Sequence, residues 1–192
     1  ASSFDTIGPM AHHLSDLAIV LKTIEGKDGY DSTVVDDFST DFSSKKQIAY
    51  IKEIVEHPSL QPEIKDHFFL KVEQIKQKGF VVESVDFAYI DQMLPTYYIL
   101  TMAEASSNLS RFDGVKFGQR TQNPRDLMDL YKKTRNEGFG EEVKRRIMLG
   151  TFVLSANYYD AYYTKAQKVR RLIKERTDVI LKDFDFIISP TT

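Results

Sequence analysis

The sequence predicts an α/β fold, and three observations support this prediction. Near residues 47–87, two strand-like runs flank an amphipathic helix, which is the pattern of a βαβ unit. Beyond residue 95, apolar residues recur mostly with the helical period, so the second half of the chain should be rich in helices. The composition, with 42% apolar and 28% charged residues, is that of a globular protein and not of a disordered one.

The length and the two ends of the chain bear on its domain organisation. Its 192 residues fit one domain of ordinary size, so we expect residues 1–192 to form a single domain with a core of its own. The chain opens on ASSFDTIGP without an initiator methionine and ends on FDFIISPTT, just after a strand-like run. These ends lead us to expect a piece of a larger protein.

Charge and cysteine content exclude several classes of protein. The formal net charge is −2, so no overall field attracts nucleic acid or an anionic membrane, and an RNA contact would need a local patch. The lack of cysteine excludes disulfides, zinc sites built on thiolates and a cysteine nucleophile. The first residues lack the regions of a signal peptide, and no apolar run approaches the roughly 18 residues of a membrane span. We therefore expect a cytoplasmic protein, or one of an organellar matrix in a eukaryote.

Capping residues and periodicity predict the first elements. Ser15 can cap a helix that runs to about Glu25, and Gly26 stops it. Residues 27–46 are acidic, rich in serine and aperiodic, so we expect a solvated loop on the surface. The run QIAYI at 47–51 is typical of a short buried strand.

The rest of the βαβ unit and the later helices follow along the chain. Pro62 begins an amphipathic helix that ends at Gly79, and the alternating run at 80–87 is a strand expected to be parallel to the first. Four helices are then expected, at about residues 95–112, 124–136, 141–154 and 155–182. The run FDFIIS at 184–189 returns as a buried strand.

The common self-contained catalytic motifs are missing from the sequence. It lacks the G-x-S-x-G elbow, the P-loop, the G-x-G-x-x-G fingerprint and the H-E-x-x-H zinc motif. The histidines are His12, His13, His57 and His67. Adjacent histidines point to different sides of any regular element, so we expect no metal site, and no side chain stands out as a general base.

The predicted helix at 95–112 carries a polar stripe. At about 100° per residue, one face gathers the side chains of Tyr97, Thr101, Glu104, Asn108 and Arg111. This stripe has two interpretations. It is either a solvated face with an ion pair between Glu104 and Arg111, or the wall of a polar cleft with Tyr97 at its mouth.

Two adjacent arginines precede the apolar part of the predicted helix at 141–154. Arg145 points away from the apolar face, whereas Arg146 lies about 60° from Val143, at the edge of that face. Because the helix becomes apolar nearly all round beyond Ile147, its second half should be buried, and Arg146 should be the arginine that enters the interior. A buried guanidinium needs an anion, which is either a carboxylate of the protein or the carboxylate of a ligand.

Aromatic and basic residues alternate in NYYDAYYTKAQKVRRLIKER at 157–176, which is a pattern that nucleic-acid-binding surfaces also show. The apolar residues in and after this run nevertheless recur with the helical period and should face the core; they are Tyr159, Tyr162, Ala166, Val169, Ile173 and Ile180. The lysines and arginines then occupy the solvent side. This spacing favours a core-facing helix over direct RNA contact.

Five stretches together carry a family resemblance. They are ASSFDTIGPM, DLAIVLKTIEGKDGYDST, YYILTMAEASSNLSRFDGVKFG, LYKKTRNEGFGEEVKRRIMLGTFVLSANYYDAYYTKAQKVRRLI and DFDFIISPTT. In these stretches the chain resembles the amidase signature family, and within it the A subunits of glutamyl-tRNA(Gln)/aspartyl-tRNA(Asn) amidotransferases. The resemblance is weakest at 34–90, where only the βαβ pattern fits. It implies part of the amidase signature fold, in which helices cover a mixed sheet.

The resemblance also implies where the covalent chemistry lies. The family hydrolyses glutamine with a Ser–cis-Ser–Lys triad that lies upstream of the motif ASSFDTIGP, so it implies no catalytic residue in this chain and an inactive middle-to-late fragment. Two binding roles are implied. Tyr97, the first tyrosine of YYILTMAEAS, would contact glutamine, and Arg146, the second arginine of EVKRRI, would clamp its α-carboxylate. The acidic partner of the α-amino group lies beyond Thr192 in the family.

The whole enzyme implied by the resemblance passes ammonia from an acyl-enzyme to a partner subunit, where ATP activates tRNA-borne glutamate. The implied partners are glutamine, a small linker subunit, and a tRNA-binding kinase subunit that holds most of the tRNA. No cofactor is expected on this chain, and ATP and Mg²⁺ are expected on the partner. Two alternatives stay open: a stand-alone amidase for other amides, and a non-catalytic module whose tyrosine-rich helix docks a partner.

Overall fold

The computed structural model describes residues 3–4, 8–27, 29–30, 34 and 46–191. The chain divides into two compact units, Ser2–Lys45 and Lys46–Thr192. The expectation of a single domain over 1–192 stays a prediction, and most of the loop predicted at 27–46 lies outside the described residues. Of the helices in the described part of the chain, none is both long enough and apolar enough to span a membrane.

The smaller unit contains helix α1 (Leu14–Ile24). Its first backbone hydrogen bonds are accepted by His13, and the His13 side chain makes no capping bond. Ser15 therefore lies inside the first turn, where its hydroxyl donates to Asp16 Oδ1 at 3.4 Å. The prediction of Ser15 as the cap is wrong. The helix ends one residue before Glu25, and Gly26 follows with a left-handed φ of 114°.

The larger unit is built on a three-stranded sheet of β1 (Gln47–Ile51), β2 (Val81–Val85) and β3 (Phe186–Ile188). Strand β1 lies in the middle, with Ile48 opposite Val82 on one side and Phe186 on the other. Both strand pairs are parallel, which confirms the predicted βαβ unit and the α/β class. The antiparallel pairing of a mixed sheet, which the family resemblance implies, is not found among the described residues.

Two helices connect β1 to β2. The longer one, α3 (Pro62–Gln77), begins at Pro62 as predicted, because proline at the first helical position needs no hydrogen-bond donor. Its end is followed by Gly79 with a φ of 88°, the left-handed conformation expected after a helix. The shorter one, α2 (Lys52–Val55), is not predicted, because four residues are too few for a helical period to be recognised.

Alternate residues of β1 divide the core between the two faces of the sheet. One cluster consists of Ile48, Val55, Phe68, Val72 and Val82, and therefore includes residues of α3. The other consists of Ala49, Ile51, Phe87 and Ile180, and Ile180 belongs to the last helix, α7 (Lys165–Asp183). Helices thus cover both faces of the sheet, which confirms the prediction that helices cover it.

The second half of the larger unit contains α4 (Ile90–Leu109), α5 (Leu127–Gly138) and α6 (Glu141–Val153), where helices are predicted. Helix α4 begins five residues earlier than predicted, and Pro95 lies inside it. A proline near the start of a helix removes only one backbone bond, here the one to the Asp91 carbonyl, so it does not mark the beginning of the helix.

Helices α4 and α6 pack closely against each other. Gly150 makes this approach possible, because a Cβ atom at this position would lie 2.0 Å from the carbonyl oxygen of Met102. Beside this contact the hydroxyl oxygens of Ser106 and Thr151 are hydrogen-bonded at 3.0 Å. The contact fixes the two helices relative to each other.

The prediction that the second half of α6 is buried all round is wrong. Gly150 and Val153 are the buried residues of this helix. Met148 is 72% exposed, and Leu149 and Phe152 are also exposed. An apolar sequence indicates a surface that favours burial, but α4 covers only one side of α6 within the described residues.

The helix predicted at 155–182 is divided in two. A turn precedes a π-helix (Tyr159–Thr164), and α7 follows it. The predicted core-facing positions are confirmed for Ala166 and Ile180, which are buried, and wrong for Tyr159 and Tyr162, which are exposed. Because a π-helix has wider turns than an α-helix, a projection at the α-helical period misplaces these tyrosines.

Candidate functional site

The packing of α4 on α6 brings the two predicted binding residues into one neighbourhood. Arg146 lies in the second turn of α6, and Tyr97 lies in the first half of α4. A hydrogen bond to Glu142 and the charge of this carboxylate raise the pKa of Arg146 above its ordinary value, and Coulombic attraction to the phenolate forms of Tyr97 and Tyr98 adds a smaller increase. Both tyrosines are therefore within electrostatic range of the guanidinium group.

Arg146 lies at the rim of the α4–α6 contact and not in the interior. Its side chain is 47% exposed, compared with 68% for Arg145. The helical projection correctly identifies the less exposed arginine, but the prediction that Arg146 is buried is wrong. The long aliphatic stem of arginine lets its charged group reach water even when the Cα atom lies beside a packed face.

A single carboxylate holds both arginines. Glu142 Oε1 accepts a hydrogen bond from Arg146 Nε at 3.0 Å, and Glu142 Oε2 accepts one from Arg145 Nη1 at 2.7 Å. These bonds, with the one from Arg146 foremost, hold the pKa of Glu142 below its ordinary value. The sequence contains a signal for this arrangement, because side chains at i, i+3 and i, i+4 are neighbours on a helix. The helical projection considers only the angle of each arginine to the apolar face, so it does not identify Glu142 as their partner.

Two tyrosines form the α4 side of this neighbourhood. Tyr97 is 48% exposed and Tyr98 is 43% exposed, and the centres of their rings are 5.5 Å apart in an edge-to-face arrangement. A phenol hydroxyl donates and accepts hydrogen bonds, and the ring offers apolar surface. A cation and two phenol groups therefore lie in the same neighbourhood, and these are the kinds of group that can bind a small molecule with a carboxylate.

The polar stripe predicted on α4 continues from Tyr97 along the helix. Thr101 donates to the carbonyl oxygen of Tyr97 at 2.7 Å, and Arg111 Nε donates to the carbonyl oxygen of Asn108 at 3.1 Å. Both side chains thus contact the backbone of α4 itself. The ion pair between Glu104 and Arg111 stays a prediction, and so does the cleft with Tyr97 at its mouth.

The histidines are divided between the two units. His57 Nδ1 accepts a hydrogen bond from the backbone N–H of Ser59 at 3.1 Å, His67 is exposed on α3, and His12 and His13 precede α1 in the other unit. In the ranges that the structure describes, no three histidine or acidic side chains are grouped closely enough to hold a metal ion.

Comparison with known proteins identifies the family. A family model described as Amidase matches residues 1–192. The chain belongs to the amidase family. The A subunit of the glutamyl-tRNA(Gln) amidotransferase of Lachnoclostridium phytofermentans is 48% identical to it over 203 residues, which are 100% of this chain and 40% of that protein. The protein of the same name from Halothermothrix orenii is 46% identical over 203 residues, with 100% of this chain and 42% of that protein covered.

A solved structure has the same fold. The crystal structure of the A subunit of the glutamyl-tRNA(Gln) amidotransferase from Thermotoga maritima matches 97% of this chain with a TM-score of 0.66 and 35% sequence identity. The match covers 37% of that chain. The predicted resemblance and the predicted fold are therefore confirmed, and this amidase chain spans about two fifths of the length of the curated relatives that it matches.

Proposed function

We propose that this amidase chain is the glutamine-binding portion of the glutaminase subunit of a tRNA-dependent amidotransferase. The complete enzyme would supply ammonia to convert Glu-tRNA(Gln) to Gln-tRNA(Gln). The names of the relatives support this assignment, and the observation that carries it is that Tyr97 and Tyr98 of α4 lie within electrostatic range of Arg146 on α6, the helix packed against α4.

Arg146 would bind the α-carboxylate of glutamine. Its guanidinium keeps its charge at any physiological pH and offers donors in a planar array that matches a carboxylate. Because the side chain is 47% exposed, a ligand can reach it without unfolding the α4–α6 contact. Tyr97 would contact the same ligand from α4, so that binding fixes the amide for attack.

The covalent step would take place outside this chain. The triad that the family resemblance implies precedes residue 1, so the isolated chain would bind glutamine weakly and would not hydrolyse it. In the complete enzyme, glutamine would acylate a serine and release ammonia for the partner. A tRNA-binding kinase subunit would hold ATP, Mg²⁺ and most of the tRNA, and a small linker subunit would complete a cytoplasmic heterotrimer.

The proposal is tested by replacing each of the two arginines in the assembled full-length enzyme. We expect Arg146→Ala to raise the KM for glutamine by about 10- to 100-fold, because a charge-assisted hydrogen-bond pair to the substrate is lost. Arg145→Ala removes an adjacent arginine that shares Glu142, so it is the matched control, and it should leave this KM within about twofold. Steady-state glutaminase kinetics give the KM of each variant, and thermal unfolding gives its melting temperature.

Two outcomes would count against the proposal. An Arg146→Ala enzyme with an unchanged glutamine KM would remove the binding role of this residue. An unchanged KM together with a lowered melting temperature would instead favour a structural ion pair, as expected for a non-catalytic interaction module. The exposed rings of Phe152, Tyr158 and Tyr162 would then be the surface to examine for a partner.

A further inference from the structure

Glu142 accepts a hydrogen bond from the Arg146 guanidinium and can therefore fix its orientation. It lies in the first turn of α6, four residues before Arg146, and its carboxylate bridges the two adjacent arginines at 3.0 Å and 2.7 Å. The bridge is half-exposed, because the Glu142 side chain is 56% accessible.

The bridge to Glu142 uses only one edge of the Arg146 guanidinium. A guanidinium offers one edge through Nε and a second edge through its two Nη nitrogens. Glu142 engages Nε. The Nη pair is the edge that can bind a second carboxylate with two parallel hydrogen bonds. The contact thus orients Arg146 without occupying the donors that a substrate would use.

The charge of the cluster is also suited to an anionic ligand. Two arginines and one glutamate sum to a net charge of +1, so the cluster still attracts a carboxylate. Without Glu142, the two guanidinium groups would lose their common partner, and the long Arg146 side chain would sample more rotamers. Ordering such a side chain on binding costs free energy, and a side chain that is held beforehand avoids part of this cost.

We propose that Glu142 is a positioning residue, which holds Arg146 Nε so that the Nη edge meets the α-carboxylate of glutamine. This inference rests on the proposed function, because it needs Arg146 as the carboxylate clamp. The competing hypothesis is that Glu142 weakens glutamine binding. If Glu142 mainly repelled or displaced the incoming carboxylate, its removal would tighten glutamine binding.

The experiment compares four enzymes with two substrates, each enzyme in its full-length, assembled form. The enzymes are the parent, Glu142→Ala, Glu142→Gln and Glu141→Ala. The substrates are glutamine and 4-aminobutanamide, which keeps the amide and the amino group but lacks the α-carboxylate. Glu141 is the matched control, since it lies in the same first turn and pairs with Lys144 at 2.8 Å, so its loss has a similar effect on helix charge.

We expect Glu142→Ala to raise the KM for glutamine about 3- to 10-fold while kcat stays within about twofold. Glu142→Gln keeps an acceptor oxygen for Nε and should restore part of the loss. The kcat/KM for 4-aminobutanamide should be the same in the parent and in Glu142→Ala, and Glu141→Ala should resemble the parent with both substrates. If Glu142 had a purely structural role, Glu142→Ala would lower kcat/KM to the same extent for both substrates.

Three results would overturn the inference. The KM of Glu142→Ala for glutamine could be lower than that of the parent, or equal to that of Glu141→Ala. Alternatively, Glu142→Ala could lower kcat/KM for 4-aminobutanamide as much as it lowers kcat/KM for glutamine. The Arg146→Ala variant separates these results from failure of the proposed function. If Arg146→Ala also leaves the glutamine KM unchanged, the clamp itself is wrong. If Arg146→Ala raises KM and Glu142→Ala does not, only the positioning role is wrong.

Discussion

Asp129 and Glu142 are each paired with two cationic side chains, but they differ in how exposed they are. Asp129 in α5 is paired with Arg125 and Lys133, and its side chain is only 10% exposed. Glu142 in α6 is paired with two arginines and is more than half exposed. The Asp129 cluster ties the start of α5 to the preceding loop, because Asp129 also accepts from the backbone N–H of Arg125 at 2.9 Å. The Glu142 cluster is exposed to solvent among the described residues, and its role as part of a ligand site stays a proposal.

We expect Asp129→Asn to lower the melting temperature by a few degrees at pH 7, and by less at pH 3. Hydrogen bonds from the Arg125 backbone and from the Lys133 and Arg125 side chains hold the pKa of Asp129 well below its usual range. A carboxylate with a depressed folded-state pKa stabilises the folded state fully above its unfolded pKa of about 3.9, and this contribution is lost as the pH falls toward the folded pKa. Thermal unfolding monitored by circular dichroism at pH 7 and pH 3 measures the difference.

Asp66→Asn serves as the control for this prediction, because Asp66 is an exposed carboxylate on α3. It should change the melting temperature little at either pH. A destabilisation by Asp129→Asn that is as large at pH 3 as at pH 7 would show that the Asp129 charge is not the source of its contribution.

At the residue scale, the sequence selects residues that the structure places near each other, but it does not predict how deeply they are buried. Helical projection and family resemblance both select Tyr97 and Arg146, and the structure places them in one neighbourhood. The predicted burial of Arg146 is wrong because a projection gives an angle around the helix axis, whereas depth depends on which elements cover that side. That these two residues bind a ligand stays a prediction.

At the scale of elements, the α4–α6 contact sets the distance between the two halves of the candidate site. Gly150 is the residue that permits it, since it lies against the backbone of Met102 and the side chain of Ser106. The adjacent hydroxyl pair of Ser106 and Thr151 adds a hydrogen bond across the two helices. Any side chain at residue 150 would push α6 away from α4.

We expect Gly150→Ala to destabilise the protein by about 1–3 kcal/mol, the usual cost of forcing extra atoms into a packed contact. The clash is with backbone, which cannot rotate away: the new Cβ would lie 2.0 Å from the Met102 carbonyl oxygen. Chemical denaturation of the variant and the parent measures the change in the free energy of unfolding.

Gly138→Ala is the matched control for Gly150→Ala. Gly138 is also a helical glycine, and a Cβ atom there would meet no atom within 4 Å. Alanine should be neutral at this position or stabilise by up to about 1 kcal/mol, because it is the better helix former. Equal destabilisation by both substitutions would contradict the close approach of α4 and α6.

The sequence predicts an element well where a distinct residue or apolar run marks its boundary, and poorly where no such marker exists. Strand β1 and the start of α3 are predicted to the residue, because an apolar run and Pro62 mark them. The start of α4 is missed because Pro95 resembles a first helical residue while lying inside the helix. The π-helix at Tyr159–Thr164 is missed because its change of period is too short to be recognised in the sequence.

At the scale of the whole molecule, the larger unit combines a small parallel sheet with a helical half that exposes much apolar surface. The rings of Phe152 and Tyr158 stack with their centres 4.2 Å apart, and Tyr162 lies 6.0 Å from Tyr158. Together with Met148 and Leu149 these exposed residues make α6 and the π-helix more apolar than a fully solvated surface needs to be. The chain spans about two fifths of its relatives' length, so we expect the activity of the complete protein to depend on more than the residues described.

The most direct test of the central claim is a crystal structure of the full-length amidotransferase with glutamine bound in a form that is not turned over. We predict that the α-carboxylate lies on the Nη edge of Arg146, with nitrogen–oxygen distances of about 2.7–2.9 Å, while Nε keeps its bond to Glu142 and Tyr97 contacts the ligand. A carboxylate bound to a different cation, with Arg146 still directed to solvent, would contradict the account.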